Sequence, residues 1–136
     1  MRKALLLLCL AACHTGTDAD EVSHGTYQLL FSVEGENAAV LQDAFGDFTL
    51  IVHRNRVLST WSNFLPESCL VDESVMNTAG DFFWSCTTRK ADGSIEARLR
   101  LVGEVADGEV SGSFVYLRRQ TYPALEIDAS GSFLSR

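Results

Sequence analysis

Between Ile95 and Leu101 the chain alternates without a fault: Ile95, Ala97, Leu99 and Leu101 are apolar, and Glu96, Arg98 and Arg100 between them are charged. Successive side chains of a strand point to opposite faces, so this segment offers one face to a core and the other to water. A helix would wind the three charges around the side it must bury. A half-wet antiparallel sheet is implied, and the rest of the chain has to supply its neighbours.

It does so at short intervals. Tyr27, Leu29, Phe31 and Val33 oppose Thr26, Gln28 and Ser32, with Leu30 as the one break, and Glu34-Gly35-Glu36-Asn37 ends the run. Phe48 to His53 meets Arg54-Asn55 and continues as Val57 to Trp61, a hairpin in which Asn tolerates the turn conformation. Asp81 to Thr88, with Phe82, Phe83 and Trp84, is rich in strand-forming residues. Asp92-Gly93 and Asp107-Gly108 are tight-turn signals on either side of the alternating segment, and Val110 to Leu117 and Leu125 to Phe133 follow as two more strands. Ala38 to Phe45 fits either a short helix or an outer strand.

The last two strands share a motif, Ser111-Gly112-Ser113-Phe114 and Ser130-Gly131-Ser132-Phe133. Glycine inside a strand permits a bend or a close backbone approach, and its recurrence on consecutive strands predicts sharp coiling at one place. About seven or eight strands in a body of roughly 112 residues suit an up-and-down barrel or a two-sheet sandwich. The short connections between sequence neighbours favour a single antiparallel up-and-down β-barrel, since a Greek-key sandwich needs longer crossovers. The expected fold class is therefore all-β.

Upstream of residue 24 the pattern changes. Met1-Arg2-Lys3 is a positive start, Ala4 to Leu10 a compact apolar stretch and Ala11-Ala12-Cys13 a small-residue exit, which together form an export signal. Leu10-Ala11-Ala12-Cys13 resembles the lipobox of bacterial lipoproteins. That resemblance implies cleavage after residue 12 and attachment of a diacylglyceryl group to Cys13, with further acylation of the new amino terminus. Cys9, preceded by Leu7 and Leu8, does not fit the modified position. Two or more acyl chains of palmitate type give stable membrane attachment where one does not. His14, rather than Asp, follows the cysteine, which in this family leans towards the outer membrane.

His14 to Ser23 is polar, acidic and without periodicity, a tether of some ten residues that holds the body within roughly 20 Å of the bilayer. Asp18, Asp20 and Glu21 do not make a calcium loop, because Ser23 and Leu29 stand where an EF-hand needs Gly and Glu. The expected organisation is a signal peptide over 1–12, the lipidated cysteine and tether over 13–23, and a β-barrel domain over 24–136.

Four cysteines allow three pairings. With Cys9 removed by processing and Cys13 carrying lipid, Cys69 and Cys86 remain, and in an exported chain they are expected to form a disulfide. Their spacing is not that of a Cys-x-x-Cys redox motif, and three scattered histidines do not complete a zinc site. Pro66, which cannot donate to a ladder, ends the strand before Phe64-Leu65-Pro66-Glu67-Ser68 leads into Cys69.

Charge and chemistry narrow the function. The 136 residues carry 11 Lys+Arg against 18 Asp+Glu, and removing residues 1–12 takes Arg2 and Lys3 but no acid, leaving a formal charge of −9. A nucleic-acid partner is excluded by the lack of a basic footprint beyond Arg89-Lys90 and Arg118-Arg119. Gly108-Glu109-Val110-Ser111-Gly112 has the wrong spacing for a nucleophile elbow, and His53 beside the Arg54-Asn55 turn is expected to be an exposed strand-end residue. Glu34 with Glu36, or Asp72 with Glu73, do not form a facing carboxylate pair. No catalytic residue, metal ligand or cofactor is assigned.

Tyr27, Phe31, Phe48, Trp61, Phe82, Trp84, Phe114 and Phe133 either fill the core or line a cavity, and a body of this size favours filling. Gly25-Thr26-Tyr27 is similar to the Gly-x-Trp opening of lipocalin-type barrels, with Arg118, Arg119 or Arg136 as the arginine that covers the barrel floor. The reading that follows is a membrane-anchored envelope lipoprotein with a binding or interaction role, recognising another protein or a small apolar ligand, in one version as an inhibitor of a lysozyme or protease. Its alternatives are a carrier of a small apolar ligand and a structural envelope component.

Overall fold

A computed structural model describes residues 25–35, 38–44, 48–54, 56–62, 68–121 and 124–136. Residues 1–24, with the segments expected to be signal peptide and tether and with Cys13, lie outside the described residues. Eight strands form one antiparallel sheet: β1 Gly25–Glu34, β2 Phe48–Val52, β3 Val57–Ser62, β4 Leu70–Met76, β5 Asp81–Arg89, β6 Ile95–Ala106, β7 Glu109–Gln120 and β8 Leu125–Ser135. Each pairs with a sequence neighbour, and β1 also pairs with β8, bringing the two ends of the body side by side in the order β3-β2-β1-β8-β7-β6-β5-β4. The sheet therefore curls as an up-and-down barrel, and a continuous sheet leaves no place for the two-sheet sandwich. It stays open along one seam, where the edges β3 and β4 meet through a side chain: Ser74 Oγ donates to the Val57 carbonyl at 3.0 Å.

The alternation of β6 is realised as read. Ala97, Leu99 and Leu101 are buried, whereas Arg100 is exposed and Glu96 and Arg98 are partly so. Both Asp-Gly turns form. Asp107 and Gly108 take φ of 53° and 76°, the left-handed pair of a tight primed hairpin, and Gly93 takes 87°. In the β2–β3 hairpin Arg54 takes a positive φ of 50°, and His53 and Arg56 exchange backbone hydrogen bonds at 2.9 and 3.2 Å. Asn55, expected to carry that conformation, lies outside the described residues.

The repeated Ser-Gly-Ser-Phe motif becomes a reciprocal pairing. Because β7 and β8 run antiparallel, Gly112 stands opposite Phe133, Ser113 opposite Ser132, and Phe114 opposite Gly131. A Cβ at Gly112 would lie 2.6 Å from the Phe133 ring, and one at Gly131 would lie 2.9 Å from the Phe114 ring. Each glycine thus makes room for the neighbouring strand's phenylalanine, and the absent side chains let the sheet coil tightly here. Gly103, opposite Gly112, extends the platform under Phe133.

Those rings meet on the barrel axis. Phe31 lies 5.1 Å from Phe48, 5.1 Å from Phe114 and 5.7 Å from Phe133, and Phe82 lies 6.3 Å from Phe133. Leu29, Leu50, Leu99, Leu101 and Val110 complete the core around them, with Trp84 also buried. Phe31, Phe48, Phe82, Trp84, Phe114 and Phe133 accordingly fill the interior, Tyr27 packs against it, and the Trp61 side chain lies outside the described ones.

The segment left open in sequence is a helix, α1 (Ala38–Ala44). It occupies the place beside β1 that a longer β2 would fill, since the β1–β2 ladder ends at the Leu29–Phe48 pair. Gln42 stands in for the missing strand: its amide oxygen accepts from Val33 N–H at 2.9 Å and its amide nitrogen donates to the Phe31 carbonyl. Leu41 is buried on the core side of the helix. None of the described helices is long and apolar enough to cross a membrane.

Candidate functional site

Cys69 and Cys86 are joined, with Cα atoms 5.3 Å apart. Cys86 is buried in β5 and Cys69, just before β4, packs partly against the core, so the bond pins the start of the edge strand to the strand beside it. It fastens the fold and presents no chemistry to solvent. Beside it, the register shift between Val71 and Glu73 sets Asp72 apart, and the buried Thr87 hydroxyl donates to its carboxylate while accepting from Arg98 Nε at 3.1 Å. Asp72 is thereby engaged in tying β4, β5 and β6 together.

The other sequence candidates stay scattered. His53 is exposed at the β2–β3 turn, as expected of a strand-end histidine, and Ser111 lies within β7. Glu34 ends β1, and Glu36 lies outside the described residues. Among the described residues, no three His, Cys, Asp or Glu side chains gather as a metal site. Of the three arginines weighed for the barrel floor, Arg118 shares the inward row of Ala97 and Ile127. Burial raises the Tyr116 phenol above its ordinary range, and the charge of Arg118 and a hydrogen bond from it pull in the opposite direction. Arg119 is on the outer face, with two contacts to the Asp128 carboxylate at 2.9 and 3.2 Å, and Arg136 is exposed.

Two depressions are lined by described residues. One, of about 430 Å³, is bordered by Lys90, Arg119, Thr121 and Glu126, but Arg119 is paired and Lys90 Nζ already donates to Thr121 Oγ1 at 3.1 Å. The other is apolar. A shallow, open cleft of about 490 Å³ runs over β4, β5 and β6, lined by Val75, Met76, Phe82, Phe83, Val102 and Gly103 with Asn77 and Asp81 at its end.

Register builds the floor of this cleft. Val75 pairs with Phe83 and Phe83 with Val102, so three apolar side chains stand in one row across the outside of the sheet. Val75 is 55% and Val102 50% exposed, flanking a half-buried Phe83. Single apolar side chains on a surface are ordinary; a contiguous row in a concave site is the form that binding surfaces take.

The two long sides of the cleft differ in charge. Towards the turns, Asp81 stands directly opposite Glu104, both exposed; towards the other end, Glu73, Ser85 and Arg100 form the next row. Asp81 and Glu104 thus set two like charges opposite one another across the β5–β6 pair, an arrangement that favours a cation beside it. Asp81 is held in place by Asn77, whose amide Nδ2 donates to its carboxylate at 3.0 Å and whose Oδ1 accepts from the Ala79 and Asp81 N–H groups at 3.0 and 2.9 Å. Sequence reading missed this site because its three apolar residues come from three strands and adjoin only through pairing. Phe83, in a strand apolar on both sides, gave no sign of facing outward.

Comparison with protein-family models, with curated proteins and with solved structures finds no match to this chain.

Proposed function

We propose that the chain is a membrane-anchored cell-envelope lipoprotein whose β body binds a protein partner. The observation that carries this reading is the lipobox Leu10-Ala11-Ala12-Cys13, set after a charged start and an apolar stretch and followed by a polar tether. The tether joins the body at Gly25, at the end of the barrel that also carries the β2–β3, β4–β5 and β6–β7 turns. An anchor on Cys13 would hold that end towards the bilayer, on the outer membrane by the His14 criterion. Acylation at Cys13 and an oxidising compartment for the Cys69–Cys86 bond belong to one exported setting.

A protein partner is favoured over a carried ligand because the aromatic residues that could have lined a cavity pack on one another along the barrel axis. Inhibition of an envelope-directed hydrolase, a lysozyme or protease, is one form such binding takes, and a net negative body suits a basic enzyme. The test is expression of the full chain in a bacterium, with Cys13→Ser alongside. The native chain should fractionate with membranes and incorporate radiolabelled palmitate, and the variant should do neither. Equal membrane fractionation of the two would overturn the anchor. A panel of lysozymes and proteases assayed with the purified chain tests the inhibitory form, and loss of activity in at least one is the expected result.

A further inference from the structure

We infer that the outer cleft over β4, β5 and β6 is the docking site, and that it takes a segment of a protein partner in which an apolar side chain is flanked by lysine or arginine. This names the surface and the partner chemistry for the binding role proposed above and rests on that reading.

Two independent features meet in the cleft. Its floor is the apolar row Val75, Phe83 and Val102, formed by direct cross-strand pairing. Its edge is the Asp81–Glu104 pair, two exposed carboxylates held opposite one another, with Asp81 fixed by Asn77. An inserted aliphatic or aromatic side chain would displace water from the row, and a cation one or two residues away would reach the carboxylates and relieve their repulsion. Both gains require one ligand to carry both groups.

Charge decides between occupants. The chain's own segment His14 to Ser23 holds Asp18, Asp20 and Glu21 and no lysine or arginine, so it would add repulsion at the edge. A second copy meets the same obstacle, because the chain without residues 1–12 has 9 basic against 18 acidic side chains. An anionic bilayer surface is repelled likewise. A basic protein segment is attracted from a distance and satisfied on contact, and its binding is sensitive to salt because both carboxylates face solvent.

The experiment uses the full chain and its Cys13→Ser form, titrated with the peptide acetyl-Lys-Leu-Lys-Phe-Lys-amide and followed by amide chemical shifts. Saturable shifts centred on Val75, Phe83 and Val102 are expected, in both forms of the chain. The counterpart with glutamate in place of lysine should bind at least about tenfold more weakly, as should the one with serine in place of Leu and Phe. Val102→Glu places a charge on the exposed floor and should remove binding. Asp81→Asn with Glu104→Gln should weaken it about three- to tenfold and flatten its salt dependence. Thermal unfolding of each variant shows that the body remains folded.

Shifts elsewhere on the barrel, equal binding of the acidic peptide, or an unaffected Val102→Glu would overturn the inference. So would sedimentation showing a dimer that Val102→Glu dissociates. Because the peptide is read in the unlipidated form too, failure of the anchor and failure of the cleft are separate results.

Discussion

The two sides of the barrel are built differently. Strands β6, β7 and β8 run for 12, 12 and 11 residues in long ladders joined by tight or short turns. Strands β2, β3 and β4 have 5, 6 and 7 residues, and two of them are edges. On the long side, register follows from packing: a one-residue slip would turn Leu99, Phe114 and Phe133 outward. The short side is held by discrete fasteners: the Cys69–Cys86 bond, the Gln42 amide on β1, and Ser74 on Val57 across the seam. A small barrel can thus stabilise one wall by cooperative burial and the other by a few individual bonds. The two walls should respond differently to the same perturbation.

Phe31 is where that distinction should break down. Its ring touches Phe48 on the short side and Phe114 and Phe133 on the long side, so it couples the walls. Phe31→Ala should destabilise the whole body by about 3–5 kcal/mol, read as a lowered denaturation midpoint in urea. The tryptophan fluorescence, to which the buried Trp84 contributes, and the far-UV dichroism should move together. Separate transitions for the two probes would mean that the walls are independent.

The disulfide should sharpen the difference. Cys86 is buried in β5, between the long strand β6 and the edge β4, and Cys69 lies at the approach to that edge, 17 residues away in sequence. Cys69→Ser with Cys86→Ser should cost about 3 kcal/mol. In hydrogen exchange, amides of β4 should lose protection first, with those of β7 retaining theirs until global unfolding. Uniform loss across both strands would contradict the division.

The same division governs how much could be read from sequence. Strand β6, the Asp92-Gly93 and Asp107-Gly108 turns, and the glycine-phenylalanine motif were legible because period-two burial and turn geometry are local properties of the chain. That the two motifs pair reciprocally follows only from the antiparallel register of β7 on β8. Strand β4 was not legible. In Leu70-Val71-Asp72-Glu73-Ser74-Val75-Met76 the register shift interrupts the alternation, and an edge strand beside a seam leaves Leu70, Val71 and Val75 exposed. Nor could α1 be distinguished from a strand in seven residues, because its placement depends on Gln42 reaching the Val33 N–H and the Phe31 carbonyl of β1. The disulfide was legible only through the expectation of export, on which Cys69 and Cys86 are the two cysteines left to pair. The candidate cleft was not, because a row across three strands exists only after pairing.

Gln42→Ala tests one fastener alone. It leaves the Val33 N–H and the Phe31 carbonyl without their side-chain partner, at a cost of about 1–2 kcal/mol. The amides of α1 and of Val33 should exchange faster, with little change in β6 to β8. Gln42→Glu should retain the acceptor for Val33 N–H but lose the donor to the carbonyl, and should fall between the two in stability. If both variants unfold like the native chain, water replaces the amide at no cost, and α1 contributes through Leu41 alone.

The smallest effect belongs to the β5–β6 turn. The Ser94 hydroxyl, at 2.5 Å, and the Ser94 backbone N–H, at 2.9 Å, both donate to the Asp92 carboxylate and hold it below the ordinary carboxylate range. A carboxylate whose folded value is depressed contributes its stabilisation above the unfolded value and loses it as pH falls through the folded one. Acidification below the ordinary carboxylate range should therefore loosen the turn over Lys90 to Ser94, seen as a downfield-to-upfield shift of the Ser94 amide as its charged acceptor is neutralised. Asp92 is fully exposed, so the unfolding midpoint should scarcely move, and Asp92→Asn should abolish the titration. The seam should not respond to this group, because the turn joins β5 to β6, away from the β4 edge, and the Lys90–Ser94 and Gly93–Lys90 backbone bonds close it on itself. A simultaneous change at Ser74 would show that the long wall transmits local strain to the short one, which packing-set register should prevent.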